Sequence, residues 1–182
     1  MALRIILRDG DPALRKKSRA VTEFDERLHV LLDDMRETLT QAEGAGLAAP
    51  QVGILRRVAI VIDGNGDFIE LINPEIVTEL GLQDGPEGCL SLPGVFGMVE
   101  RPMQVVVKAF DRNGEPFTTS GFGLMARAFC HEVDHLEGRF FTEIVTRYLT
   151  DEEIAALADH DGSDGESEIV VDVEFPVSGG ES

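Results

Sequence analysis

The chain has 182 residues, 43% of them hydrophobic and only 6% aromatic, which is apolar material enough for one compact domain. Its formal charge of −18 argues against nucleic acid or anionic lipid as a partner, because both recruit clustered Lys and Arg. Arginines interrupt the short apolar run at the start, no small-residue cleavage site follows, and no apolar stretch approaches the roughly 18 residues of a membrane span. A cytoplasmic protein without a membrane segment is therefore expected.

The charge is unevenly spread. The last basic residue is Arg147, and residues 148–182 carry eleven acids, which leaves −7 on the first 147 residues. This asymmetry suggests one folded domain over residues 1–158 and a flexible acidic tail over 159–182. The two cysteines, Cys89 and Cys130, are expected to stay reduced in such a protein, leaving metal binding or burial as their roles.

Leu3, Ile5 and Leu7 alternate as a strand would, and Asp9-Gly10-Asp11-Pro12 then stops it. A helix follows, with Phe24, Leu28, Leu31, Leu32, Met35 and Leu39 at three- and four-residue steps and Thr22 with Asp25 as its capping pair. From about residue 55 the pattern changes to short Val- and Ile-rich runs, Arg57 to Ile62, Phe68 to Ile72 and Val105 to Phe110. The turns Asp63-Gly64-Asn65-Gly66 and Asp111-Arg112-Asn113-Gly114 separate them, so antiparallel hairpins are expected. A second helix should run from Gly123 to Glu137 with Leu124, Ala128, His131 and His135 on one stripe, closed by Gly138 in a left-handed cap. Thr150-Asp151-Glu152-Glu153 is a capping-box sequence for a short third helix ending near Ala158. Residues 159–168 read as a linker, and Ile169 to Phe175 could pair as an edge strand.

His131-Glu132-Val133-Asp134-His135 is the strongest chemical signal. Histidines four apart on a helix lie one above the other, so both imidazoles can reach one metal ion while Glu132 sits beside its open position. Glu132 is then placed to take a proton from metal-bound water. Taken alone, the same pattern also fits ordinary histidines on an acidic helix.

Two histidines need a third protein ligand, and its source separates enzyme classes. A third histidine six residues on is excluded, because position 141 is Phe141. A downstream glutamate would have to be Glu152 or Glu153, both of which read as capping residues. Upstream, Cys89 in Glu87-Gly88-Cys89-Leu90-Ser91-Leu92-Pro93 could bring a thiolate on an extended segment. Cys130 lies about 100° around the helix from His131, off the ligand face, and is the better candidate for plain burial. Gly44 and Gly46 would let backbone approach a ligand, and the Leu-Ala-Ala that follows is apolar enough to line a dry site.

Three segments together carry a family resemblance. Gly44-Ala45-Gly46-Leu47-Ala48-Ala49-Pro50-Gln51, Glu87-Gly88-Cys89-Leu90-Ser91 and His131-Glu132-Val133-Asp134-His135 resemble the three signature motifs of peptide deformylases, in the family's order. The likeness extends from Asp11-Pro12-Ala13-Leu14-Arg15 to Leu136-Glu137-Gly138-Arg139-Phe140-Phe141.

That resemblance implies an α+β fold, with antiparallel sheets around a central helix bearing the His-Glu-Val-Asp-His motif. It implies Cys89, His131 and His135 as metal ligands and Glu132 as general base and acid. Gln51 and the Leu90 N–H match the donors to the developing oxyanion, and Gly46 matches the backbone contact to the substrate. It implies one divalent ion, natively Fe(II), with zinc, nickel or cobalt able to occupy the same ligands. The substrate would be the N-formylmethionyl end of a nascent polypeptide, met close to the ribosome by a monomeric enzyme. Ala45 replaces a larger aliphatic residue, Cys130 replaces a glutamine, and the acidic tail argues against docking on ribosomal RNA through the C-terminus. Two competing readings are a metallopeptidase cutting internal bonds and a non-catalytic relative that binds chain ends.

Overall fold

The computed structural model describes residues 2–160. The chain divides into two compact units, the first ending at Leu149 and the second beginning at Thr150. The first unit has eight strands and two helices: α1 (Glu26–Ala42), β1 (Gly46–Ala48), β2 (Val58–Ile62), β3 (Phe68–Leu80), β4 (Gln83–Cys89), β5 (Leu92–Arg101), β6 (Gln104–Phe110), β7 (Pro116–Phe122), α2 (Leu124–Leu136) and β8 (Arg147–Tyr148). A five-stranded sheet has the order β1-β2-β3-β6-β7, and a three-stranded sheet the order β4-β5-β8. Every pairing between these strands is antiparallel, as the turn-punctuated runs predict, and one isolated bridge, Arg19 to Arg56, is parallel.

β2 explains why its sequence, Val58-Ala59-Ile60-Val61-Ile62, is apolar without alternation. Val58 and Ile60 pack with Leu28, Leu32, Met35 and Leu39 of α1, whereas Val61 packs with Ala126, Phe129 and Cys130 of α2. Successive strand residues point to opposite faces, and here both faces are covered by a helix. Leu32, Met35 and Leu39 are fully buried, and burial of each such side chain stabilises the fold by roughly 1.5–3 kcal/mol. α2 packs against β1, β2, β3, β6 and β7 of one sheet and β5 of the other, which makes it the central helix.

Several expectations are corrected. Residues 2–7 form no strand. Leu3 and Ile5 of that segment are 52% and 85% exposed. This segment is tied down by α1 side chains instead of a sheet ladder: the Ala2 N–H donates to Asp34 and the Arg4 N–H to Thr38. α1 is capped by Asp25 alone, which accepts from the Leu28 N–H, and starts too late for Thr22 to take part. β3 runs eight residues beyond the expected Ile72, with bulges at Ile72/Glu75 and Ile76/Thr78 that absorb Asn73 and Pro74 and blur the period-two pattern. The hairpin turns are as expected: Asp63 accepts from the N–H of Asn65 and Asp67, and Asp111 from those of Asn113 and Glu115.

α2 ends where Gly138 was expected to stop it. Gly138 has φ +74°, and a Cβ there would lie 2.7 Å from the Arg15 carbonyl oxygen, so both conformation and space require glycine. In the second unit, α3 (Asp151–His160) begins with the expected box: the Thr150 N–H donates to Glu153 and the Glu153 N–H to the Thr150 hydroxyl. The helix runs to His160, past the expected end near Ala158 and through the first two residues of the expected linker; the rest of that linker and the edge strand lie outside the described residues.

Candidate active site

The histidines of α2 and the end of β4 meet. His135 Nε2 lies 3.2 Å from His131 Nε2 and 3.2 Å from Cys89 Sγ, and the three donor atoms fall within 4.8 Å of one another. The helix supplies the imidazoles four residues apart. The kink between Gly88 and Cys89, where the register with β5 shifts, turns the cysteine onto them. A soft thiolate with two imidazoles is a donor set for a zinc- or iron-type dication.

The outer nitrogen of His131 is fixed by its surroundings. Its Nδ1–H donates to Glu87 Oε2 at 3.0 Å, which turns Nε2 toward Cys89 and His135. Glu87 is itself buried and receives Arg101 Nε at 2.7 Å, Arg101 Nη2 at 3.1 Å and Arg127 Nη1 at 3.0 Å. Arg101 also reaches Asp134 at 2.7 Å. Burial alone would push Glu87 upward, yet the bonds to His131 and Arg101 outweigh it and hold the carboxyl at about 2.

The two imidazoles shift in opposite directions. Burial disfavours charge on His131, but Cys89 and Glu87 hold its proton up to about 10. His135 shifts the other way, well below its ordinary range, through burial and the neighbouring His131. The converging donor set, with the outer nitrogen of His131 held by Glu87, fits a divalent metal ion.

Glu132 lies on the same cavity wall and is 3% exposed. Burial raises its carboxyl to about 7, against the attraction of His131 and with help from Glu87. Its Oε2 is buried and has no hydrogen-bond partner among the described residues, so it calls for a polar molecule in the cavity. The cavity holds about 680 Å³, the size of a small-ligand or short-peptide site.

All seven residues singled out from sequence line this cavity or its metal set: Gly46, Gln51, Cys89, Leu90, His131 and Glu132 line it, and His135 completes the ligand cluster. Gln51 is held at both ends. Its Oε1 accepts from the Ala48 N–H at 2.9 Å, and its Nε2 points toward Ser91 Oγ at 3.2 Å and Cys89 Sγ at 3.5 Å. Gly94 and Phe96 line the cavity too. Leu47, Ala48 and Ala49 do not; they are fully buried in the core, where they anchor β1 and the turn after it. Cys130 is buried in the second apolar cluster, and burial pushes its thiol up to about 11.

Sequence reasoning missed the support. Arg101 is far from the motifs in sequence and offers no local signal. Arg127 does, since it stands four residues before His131 on an otherwise apolar stripe, where an arginine needs a buried partner. Phe140 meets the His135 ring edge-on at 5.3 Å between centroids.

Comparison with known proteins agrees with this geometry. The family model for polypeptide deformylase matches residues 3–149. A peptide deformylase from Acetivibrio thermocellus is 54% identical over 154 residues, covering 85% of this chain and 90% of that protein. One from Alkaliphilus metalliredigens is 56% identical over 147 residues, covering 81% and 99%. The crystal structure of peptide deformylase from Thermotoga maritima superposes with a TM-score of 0.77 at 38% identity, covering 80% of this chain and 99% of that one. The chain belongs to the peptide deformylase family.

Proposed function

We propose that this chain hydrolyses the N-formyl group of N-formylmethionyl nascent polypeptides, with Glu132 as general base and acid and with Cys89, His131 and His135 holding one divalent ion. The observation that carries the mechanism is the buried Glu132 carboxyl, whose Oε2 has no hydrogen-bond partner among the described residues, beside the converging Cys89, His131 and His135 donors. The reaction class rests on the family match over residues 3–149.

A bound dication would supply Lewis acidity, lowering the pKa of water and drawing charge from the formyl oxygen. Fe(II) is the native ion in this reading, with zinc, nickel or cobalt as substitutes; the Cys-His-His set accepts them all. The remaining work belongs to side chains. Glu132, poised near neutral pH, takes a proton from the attacking water and returns it to the amide nitrogen. The bond between that nitrogen and the formyl carbon then breaks, giving formate and a free amino terminus.

Negative charge gathers on the formyl oxygen as water attacks. Gln51 Nε2 and the Leu90 N–H donate to it, and the anchoring of Gln51 Oε1 by Ala48 removes the cost of orienting that amide during reaction. Gly46 presents its backbone to the substrate amide. Leu124, Ala128 and Phe96, which line the cavity, receive the methionine side chain. The enzyme would meet nascent chains in the cytoplasm, close to the ribosome; among the described residues no helix is long and apolar enough to cross a membrane.

The test is formate release from formyl-Met-Ala-Ser by protein prepared without oxygen and loaded with Fe(II) or Ni(II), beside Glu132→Ala. Formate that the variant fails to release supports the assignment. Metal-loaded protein that yields no formate, or that splits internal peptide bonds, overturns it.

A further inference from the structure

The cavity mouth carries one solvent-facing charge. Of the ionisable side chains lining it, Glu87, Arg127 and Glu132 are buried, and His131 is mostly enclosed. Arg8 alone among the charged lining residues is exposed. Glu87 and Arg127 pair at 3.0 Å behind the cavity wall, both buried. Glu43 precedes the lining residue Gly44 in the chain but is not itself part of the lining.

The position of Arg8 is built by its neighbours. The Leu7 N–H donates to the Gln51 carbonyl at 2.8 Å, and the Asp9 N–H to the Ser91 carbonyl at 3.0 Å. Residue 8 is therefore pinned between the two segments that carry Gln51 and Cys89-Leu90-Ser91. Its guanidinium reaches the Leu90 carbonyl at 3.5 Å, over the rim. The adjacent carboxylate of Asp9 faces Arg15 at 3.4 Å, so Arg8 keeps its charge available to a ligand.

We propose that Arg8 is a specificity-determining residue, which makes the enzyme favour formyl-methionyl chains with Asp or Glu within the first three residues after methionine and disfavour Lys or Arg there. The inference rests on the deformylase reading and deepens it. A chain leaving the cavity must pass the rim, and no fixed anion lines that rim to offset the guanidinium. Exposed ion pairs of this kind change free energy by up to about 1 kcal/mol, so an Asp-to-Lys exchange at the best position should change kcat/KM by about three- to tenfold. Salt should shrink the ratio, because the groups meet in water.

The experiment measures formate release from formyl-Met-Ala-Ala-Ser peptides carrying Asp or Lys in turn at the second, third and fourth positions. Wild type, Arg8→Gln and Arg8→Glu are compared at 20 and 300 mM salt. Expected is an Asp-to-Lys kcat/KM ratio of at least threefold at one position, lost in Arg8→Gln, reversed in Arg8→Glu and reduced at high salt. A ratio within twofold at all positions, or one that survives in Arg8→Gln, overturns the proposal while formate from the unsubstituted peptide leaves the deformylase reading standing. Absence of formate from every peptide, including the unsubstituted one, overturns both.

Discussion

Gly46 and Glu132 occupy a space with no room for another carbon. A Cβ built on Gly46 would lie 2.9 Å from the Glu132 carboxyl carbon, although the glycine's backbone is not in the left-handed region. Contact with the acid, and not backbone conformation, is what demands glycine there. β1 thus brings a bare backbone edge against the group that moves the proton.

Gly46→Ala should therefore damage chemistry more than folding. The methyl group would push Glu132 off its position, and misplacement of a general base costs about 10²- to 10⁴-fold. We expect kcat to fall within that range while the melting temperature moves by only a few degrees. Unchanged kcat would show that Glu132 has room to adjust.

Glu132 also makes a prediction about stability and pH. Its folded carboxyl sits at about 7, above its ordinary value of 4.5, so the folded state holds the proton more tightly than the unfolded chain. Its contribution is full below the unfolded value and is lost as pH rises through 7. Above that point the buried carboxylate costs stability, on the order of 1–3 kcal/mol. Metal-free Glu132→Gln should melt higher than metal-free wild type at pH 8, with a smaller gap at pH 5.5. A variant that melts lower at pH 8 would contradict the assigned shift.

Glu87→Gln tests the support of the ligands. Glutamine keeps the shape but removes the charge that faces Arg101, Arg127 and His131. Loss of such an outer partner weakens metal binding by about 10- to 100-fold, which a competition titration with a chelator would read. Leaving Arg127 without its buried counter-charge, while Arg101 keeps Asp134, should cost about 3–5 kcal/mol at pH 7 by urea unfolding. The opposite pH sense to Glu132 applies: Glu87 lies at about 2, so its contribution is present above its ordinary value and is lost as pH falls through 2.

Gly138→Ala separates folding from chemistry. The substitution forces a side chain into a left-handed conformation and against the Arg15 carbonyl, at a cost of about 1–3 kcal/mol. The expected result is a melting temperature lower by several degrees, with near-normal turnover in protein that remains folded. A normal melting temperature would mean that Arg15 can retreat without penalty.

The sequence by itself determined the local features. The period of α1 and α2, the Asp-Gly and Asn-Gly turns and the i, i+4 histidines are written into neighbouring residues, because helix period, turn dihedrals and ligand spacing are short-range constraints. The strand alternation of Leu3, Ile5 and Leu7 misled for the same reason: periodicity shows which residues could share a face, not what covers it. The family motifs also anticipated Cys89 beside His135, 46 residues apart in the chain, but only the tertiary structure decided that Arg101 and Arg127 converge on Glu87. It also decided that Leu47 to Ala49 serve the core and not the cavity. Those outcomes depend on how two sheets and a helix pack together, and desolvation in that packing, absent from the chain as a string, is what raises Glu132 while its neighbours hold Glu87 ionised.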